Sequence, residues 1–414
     1  MKRRVVITGM GVVSPIGNCI DDVWYSLQHQ VCGIGPITKF DTSDFRAKLA
    51  GEVKDLNMEQ YFSKRDLKFN DRFTQFARIA AKQAFDDSKL AHTDFDHERF
   101  GVILGSGIGG IETIANASTT MDTRGQNRVS PYFIPMSLIN LAAGCVAIDV
   151  QAKGNVSSVV TACAASTNAI GEAFHKIRDG YEDIILTGGS EASITPLAVA
   201  GFASMRALHE GNDPKRASIP FDEKRSGFVM GEGAGILILE ELKHALNRKA
   251  HIYGEVIGYG TTCDAHHMTA PLPDGSSAAK AMQQAMQDAS ITPSEVDYIN
   301  AHGTSTPLND AGETCAVKLA FKDDWKHPYV SSTKSMSGHL LGASGALEAI
   351  ISTLAVQNDY VPATLNYQYK DAACDLNLVV NQGKQTPIFI AMSNSLGFGG
   401  HNASILIKKW EDKI

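Results

Sequence analysis

The chain has 414 residues, with 38 lysines and arginines against 45 aspartates and glutamates, a formal net charge of −7. That balance excludes a general nucleic-acid binder, which would show a basic excess or stripe, and 43% hydrophobic with 20% charged residues excludes a disordered chain. The length allows a large core built as two domains or two similar halves, and apolar runs such as ILILE (236–240) are far too short for a membrane span.

The opening MKRRVVITGMGVVSPIG begins with basic residues, as a signal peptide does, but Gly9, Gly11 and Pro15 break its apolar run. It predicts a strand at 3–9 followed by a glycine loop, not a secretion signal. A helix is predicted at 71–88 and a strand at 100–105. The following GSGIGG (105–110) matches G-x-G-x-x-G. A dinucleotide site would also need a second strand and an acidic residue about 20 positions on, and IETIANASTTMDTRGQNRVSPYF offers no such strand. Tight turns and close backbone packing are the better reading, so a dinucleotide-dependent oxidoreductase is set aside and no cofactor is expected.

Strands follow at 156–162, 183–189, 235–241, 253–260, 296–301, 329–332, 388–393 and 402–409. Helices are predicted at 164–179, 276–290, 309–321 and 341–357. Short apolar strands alternating with helices predict an α/β protein with largely parallel sheets covered on both faces. The segment VSSVVTACAASTNAIGEAF (156–174) can be laid over YVSSTKSMSGHLLGASGALEAI (329–350): strand, hydroxyl-rich turn, helix. This favours a duplicated fold with halves at 1–250 and 251–414, joined through ELKHALNRKAHIYGE (241–255).

Cys19, Cys32, Cys145, Cys163, Cys263, Cys315 and Cys374 are scattered with no C-x-x-C, which predicts a reducing compartment and a cytoplasmic protein. A cysteine is ordinarily a small buried hydrophobe. Cys163 differs because it lies where a strand ends and a helix begins, among Ala162, Ala164 and Ala165. A helix N-terminus would stabilise a thiolate there, and free N–H groups of the first turn could hold an oxyanion. His302, before GTSTP, and His339, in the turn that mirrors the one at Cys163, also sit at the carboxyl ends of predicted strands, where ligands collect in open α/β sheets. Lys334 is close enough in sequence to His339 to orient groups or keep a histidine neutral. Adjacent histidines in DAHHMT (264–269) lack metal-ligand spacing, so no metal site is expected. GFGGHN (397–402) reads as a glycine-hinged loop carrying Phe398 between two terminal strands.

TACAAS around Cys163, NAHGTSTP around His302, KSMSGHLLGASG around His339 and NSLGFGGHN near the C-terminus, in that order, resemble the β-ketoacyl-acyl carrier protein synthases. AGFASMRAL and FDEKRSGFVMGEGAG look most like the elongating type II branch of dissociated bacterial fatty-acid synthesis. The initiating branch has a Cys-His-Asn set, against which His339 argues. The resemblance implies a thiolase-like fold, duplicated βαβαβαββ halves in a five-layered α-β-α-β-α arrangement, and a homodimer. It implies a ping-pong condensation in which Cys163 carries the acyl chain and malonyl-acyl carrier protein is decarboxylated. His302 and His339 would stabilise the enolate, the N–H groups of Cys163 and Phe398 would hold oxyanions, and Lys334 would support the site.

For substrate, the resemblance implies that Thr304, Thr306 and Thr269 bind the phosphopantetheine arm and that Phe398 gates the acyl pocket with Asp264 in its loop network. Ile108, Phe202, Phe133 and Ile134 would line a pocket running toward the dimer interface. Lys64, Arg65, Lys68, Arg124, Arg128 and Arg206 are candidates for docking the acidic acyl carrier protein. The chain departs from the family's pattern at Leu396, His401 and His266, all near the gate or the pantetheine entrance. A polyketide ketosynthase shares the same fold and chemistry. A non-catalytic chain-length factor lacks the nucleophile that Cys163 would supply.

Overall fold

A computed structural model describes residues 2–411. Ten strands make one continuous sheet: β1 Val5–Val13, β2 Phe100–Gly105, β3 Val156–Val159, β4 Ile184–Glu191, β5 Gly233–Glu241, β6 Gly254–Cys263, β7 Tyr298–Asn300, β8 Tyr329–Ser331, β9 Ile390–Gly397 and β10 His401–Lys409. Six helices cover it: α1 Arg72–Ser88, α2 Asn140–Val150, α3 Ala165–Arg178, α4 Ser276–Ala289, α5 Pro307–Phe321 and α6 Ser344–Asn358. Read in chain order, residues up to β5 run β1-α1-β2-α2-β3-α3-β4-β5, and the remainder repeats the same series as β6-α4-β7-α5-β8-α6-β9-β10.

The sheet order is β8-β7-β9-β10-β6-β1-β5-β4-β2-β3. Its two ends mirror each other about the β1–β6 seam, which is antiparallel with Val5 opposite Val256. Helices α1 and α2 cover the outer face of the first five strands, and α4, backed by α5, covers β6 and β10. Between the two groups of strands lie α3 and α6, each touching strands of both halves. The layers are therefore α-β-α-β-α, as expected of a thiolase-like fold.

The strands β1, β4 and β5 are buried along their whole length, which is why they read as continuous apolar runs rather than alternating ones. Along α6, Ser344 to Val356 are all buried because sheets lie on both sides. Close approach is built into both halves: an added Cβ at Gly11 would sit 2.0 Å from the Ala80 carbonyl of α1, and one at Gly260 would sit 2.1 Å from the Ala281 carbonyl of α4. Only glycine lets strand and helix meet there.

Two expectations differ from the structure. The sheet is mixed rather than largely parallel: β2 pairs parallel with β3 and β4, and β7 with β8 and β9, but the other pairings are antiparallel. The antiparallel character comes from the last two strands of each half and from the seam. Helix α2 and the helix Ile111–Arg124 that follows GSGIGG are also present. NLAAGCVAIDV is apolar on nearly every side, so periodicity does not mark it as a helix.

Gly260→Ala should lower the unfolding free energy by about 1–3 kcal/mol through overpacking of β6 on α4. Urea denaturation should show an earlier midpoint with an unchanged m-value. An unshifted midpoint would contradict the close approach.

Candidate functional site

Strand β3 ends at Val159, and the chain turns through Thr161 and Ala162 into the short turn Ala162–Ala164, from which α3 starts. Ala162 has φ +50°, a left-handed conformation that a non-glycine residue adopts at a cost. The turn presents Cys163, buried at 9% exposure, between Ala162 and Ala164. In the second half β8 leads through Lys334–Ser337 and Gly338 to His339, then to the turn Leu341–Ala343 that starts α6. Leu341 also has φ +50°. His302 follows β7 by two residues, and its backbone N–H and that of Gly303 donate to Glu313 at 2.8 Å each.

These segments converge on one cavity of about 280 Å³ lined by Cys163, His302, His339, Phe202, Phe398, Thr269, Thr304, Thr306, Asp264 and Arg206, among others. The two imidazoles meet edge to face, with ring centroids 5.2 Å apart. Phe228 packs against His339, and Phe202 against both Phe228 and Phe398. Backbone N–H groups of Phe398 and Cys163 are directed at the thiol. An added Cβ at Gly397 would lie 3.2 Å from the Cys163 nitrogen and 2.8 Å from the Thr161 carbonyl, so glycine keeps that side of the turn open.

Electrostatics at the site departs from the expected thiolate. Burial pushes the Cys163 thiol up to about 12, although Lys334 and the Phe398 N–H pull the other way. Burial thus favours the neutral thiol over the thiolate. Burial, then Lys334, holds His302 and His339 well below the ordinary histidine value, so both are neutral. His339 Nδ1 lies 2.8 Å from the Ser344 hydroxyl. With that hydroxyl donating, Nε2 carries the ring proton. His302 Nδ1 is buried with no hydrogen-bond partner.

Lys334 does not line the cavity. It is fully buried and bonded to Glu348 of α6. Burial raises Glu348 and Glu313 to about 7 each. The lysine's charge is what reaches the cavity.

The loop carrying Phe398 is latched to the segment before it. Asp264 accepts from Leu272 N at 2.9 Å and from Asn402 Nδ2 at 2.7 Å, and its own N–H donates to the Gly400 carbonyl at 2.8 Å. Gly399 N–H donates to the Met268 carbonyl at 2.7 Å. The hydroxyls of Thr304 and Thr306 lie 3.0 Å apart at the cavity wall. Leu396 lines the cavity, while His266 is exposed.

Other expected lining residues stand elsewhere. Ile108 shares an apolar cluster with Phe202 and Leu341, which line the cavity, but is not itself on its wall. Phe133 and Ile134 are not brought to the cavity of this chain, and Ile134 is 58% exposed. They sit on the helix Phe133–Ser137, in an insertion that projects from the first half. Lys64, Arg65, Lys68, Arg124, Arg128 and Arg206 are all exposed. Phe69 stacks on Tyr132 at 3.9 Å, which brings the helix bearing Lys64, Arg65 and Lys68 to the insertion bearing Arg124 and Arg128.

Sequence reasoning missed Ser344, Glu313 and Glu348. A signal was available for Glu348, a lone acid in the apolar run GALEAII, since a buried charge requires a partner. Among the described residues no cluster of His, Cys, Asp or Glu could hold a metal ion.

Fold and cavity together define a thiolase-like α/β protein built around one buried cysteine and two neutral histidines. Residues 2–245 match the N-terminal domain of β-ketoacyl synthases and residues 253–368 the C-terminal domain. The chain is 49% identical to the 3-oxoacyl-[acyl-carrier-protein] synthase 2 of Synechocystis sp., over 99% of both chains. It is 50% identical to the protein of that description from Staphylococcus aureus strain N315, again over 99% of both. Among solved structures, a type II polyketide ketosynthase in complex with its acyl-carrier protein superposes with a TM-score of 0.92 at 35% identity, covering 99% of this chain and 100% of that one. The chain belongs to the β-ketoacyl synthase family.

The depressed histidines tie stability to pH. Unfolded histidine titrates near 6.5, whereas His302 and His339 stay neutral well below it. The unfolded chain therefore binds more protons, and their contribution to stability is present above the unfolded value and lost as pH falls through the folded one. Double substitution His302→Asn/His339→Asn should flatten the loss of melting temperature below pH 6.5; an unchanged slope would contradict neutral burial.

Proposed function

We propose that this chain works as a 3-oxoacyl-[acyl-carrier-protein] synthase of the type 2 kind, extending an acyl chain carried on Cys163 by two carbons. The observation that carries the reading is the convergence of Cys163, His302 and His339 on one buried cavity, with two backbone N–H groups aimed at the sulfur. In the first half-reaction Sγ of Cys163 attacks the thioester carbon of an acyl-acyl carrier protein. A new C–S bond forms, the carrier's C–S bond breaks, and the thiol proton ends on the departing carrier thiolate. The N–H groups of Cys163 and Phe398 hold the tetrahedral oxyanion.

In the second half-reaction the malonyl thioester loses carbon dioxide, and the electron pair of the broken C–C bond becomes an enolate. Neutral His302 and His339 donate hydrogen bonds to its oxygen without delivering a full proton that would quench the carbanion. The enolate carbon attacks the acyl-Cys163 carbonyl, the C–S bond breaks, and the sulfur takes up one proton. Burial of both imidazoles, together with Lys334, supports this role by keeping them uncharged.

Residues 1–250 would supply the nucleophile, and residues 251–414 both histidines and the gating loop. Thr269, Thr304 and Thr306 would bind the pantetheine arm, and Phe398, latched through Asp264, would gate the pocket. The exposed cations Lys64, Arg65, Lys68, Arg124, Arg128 and Arg206 would dock the acidic carrier. A homodimer is supported by the open outer edge of β3 and by exposed Ile134, Leu138, Val156 and Val160. It would cover the projecting insertion and give Phe133 and Ile134 an acyl pocket to line. No helix among the described residues is long and apolar enough to cross a membrane, and all seven cysteines are free thiols, which supports a cytoplasmic location.

Incubation with acyl-acyl carrier protein followed by intact-protein mass spectrometry should show one acyl adduct, mapped to Cys163 and absent in Cys163→Ser. An adduct on another cysteine, or none at any acyl length, would overturn the assignment. His302→Ala and His339→Ala should each slow carbon dioxide release from malonyl-acyl carrier protein by about 10²-fold or more, the loss typical of one oxyanion donor. Near-normal release from either would remove it from the enolate site.

A further inference from the structure

Glu191 ends β4 and is fully buried, and no role in the chemistry above uses it. Its Oε2 accepts from Gly107 N at 2.6 Å and from Gly342 N at 3.1 Å. Its Oε1 accepts from Ile108 N at 3.2 Å, Gly109 N at 3.3 Å, and the hydroxyls of Ser193 and Ser106 at 3.1 and 3.3 Å. Four backbone N–H groups from two distant segments thus close on one carboxylate. No lysine or arginine pairs with it among the described residues. GSGIGG does form an anion cradle of the kind its glycines suggest, and the chain's own carboxylate fills it.

The duplication shows what that carboxylate replaces. Strands β4 and β9 hold the same place in each half and have 8 residues each, so Glu191 corresponds to Gly397. The turn Ala162–Ala164 corresponds to Leu341–Ala343, with φ +50° at Ala162 and Leu341 alike. Gly342 is then the counterpart of Cys163. Beside Cys163 N, Gly397 leaves room for an oxyanion; beside Gly342 N, Glu191 occupies the equivalent room. An added Cβ at Gly342 would lie 2.2 Å from Gly107 N, so the second turn has space for neither a side chain nor a substrate.

We propose that Glu191 is a positioning residue for the acyl chain. By filling the anion hole of the unused second turn, it clamps the loop Gly107–Gly109 to Gly342 and so sets the separation of Ile108 and Leu341. Leu341 and Phe202 line the catalytic cavity, and Ile108 belongs to the same apolar cluster. On this proposal a long acyl chain extends from the cavity between these groups, whereas a short one stops before them. This rests on the condensing reading above.

The test compares transfer of butyryl and dodecanoyl groups from acyl carrier protein to Cys163 in wild type, Glu191→Gln and Glu191→Asp. Glutamine puts an NH₂ against backbone donors, and aspartate retracts the carboxylate by one methylene. Dodecanoyl transfer should fall by about tenfold in both variants while butyryl transfer stays within about twofold. A second readout, alkylation of Cys163 by iodoacetamide at fixed pH, needs no acyl donor. The Glu191 charge raises the Cys163 thiol, so Glu191→Gln should alkylate about threefold faster and Glu191→Asp at the wild-type rate.

Equal loss of both acyl lengths, or no change in the profile, would overturn the clamp and leave a general structural role. Wild type that never loads Cys163 would instead sink the condensing reading, and the alkylation comparison would still judge Glu191. Should neither variant fold, Ser193→Ala removes one donor from Oε1 while leaving the backbone contacts. It should shift the chain-length profile in the same direction by about twofold; an unchanged profile would again overturn the proposal.

Discussion

The packing of α3 against α6 between the two groups of strands is the constraint from which the rest of the site follows. Each helix is entered through a turn with one left-handed residue, Ala162 or Leu341. Side-by-side packing brings those turns together at the centre of the molecule. The approach is close: an added Cβ at Gly345 would lie 1.9 Å from Thr167 Oγ1, and Ala346 N donates to the Ser166 hydroxyl at 3.0 Å. A shift of either helix would separate Cys163 from His339, because each is carried by the segment entering one of them.

Burial then sets the chemistry. A desolvated pocket disfavours charge, so the thiol and both imidazoles are neutral at rest. The one lysine kept beneath them is bonded to Glu348, and Glu313 anchors the His302 backbone. A buried pair of this kind adds little to stability, since the cost of desolvating both ions offsets their attraction. Its value here is positional: a fixed positive charge beneath two histidines helps keep them from protonating. Neutral donors suit an enolate, which a fully charged imidazolium would quench.

Much of the fold was legible in the sequence. Each of the ten strands was expected from a short apolar or β-branched run, and α1, α3 and α4 are amphipathic enough to read. α2 was hidden because its apolar residues lie on nearly every side, and strand direction was hidden because parallel and antiparallel buried strands have the same composition. At the site, Cys163, His302 and His339 were visible through their positions at strand ends. Ser344 and Glu313 were not, because their importance is a contact across segments. A helix start favours a thiolate at Cys163 while burial opposes it, and a sequence shows a helix N-terminus but not how deeply it is buried.

GSGIGG marks that division most clearly. From residues alone it was a glycine loop with no second strand to make a nucleotide site. What fills the loop is Glu191, from 81 positions beyond Gly110 by the numbering of the chain. Residue order by itself determined the alternation of strands and helices, the duplication and the chemical identity of the reactive groups, because these depend on local pattern and composition. Only the tertiary structure decided which groups are neutral, which carboxylate meets which backbone, and which of two similar turns stays open. Those depend on burial and on contacts between segments far apart in the chain.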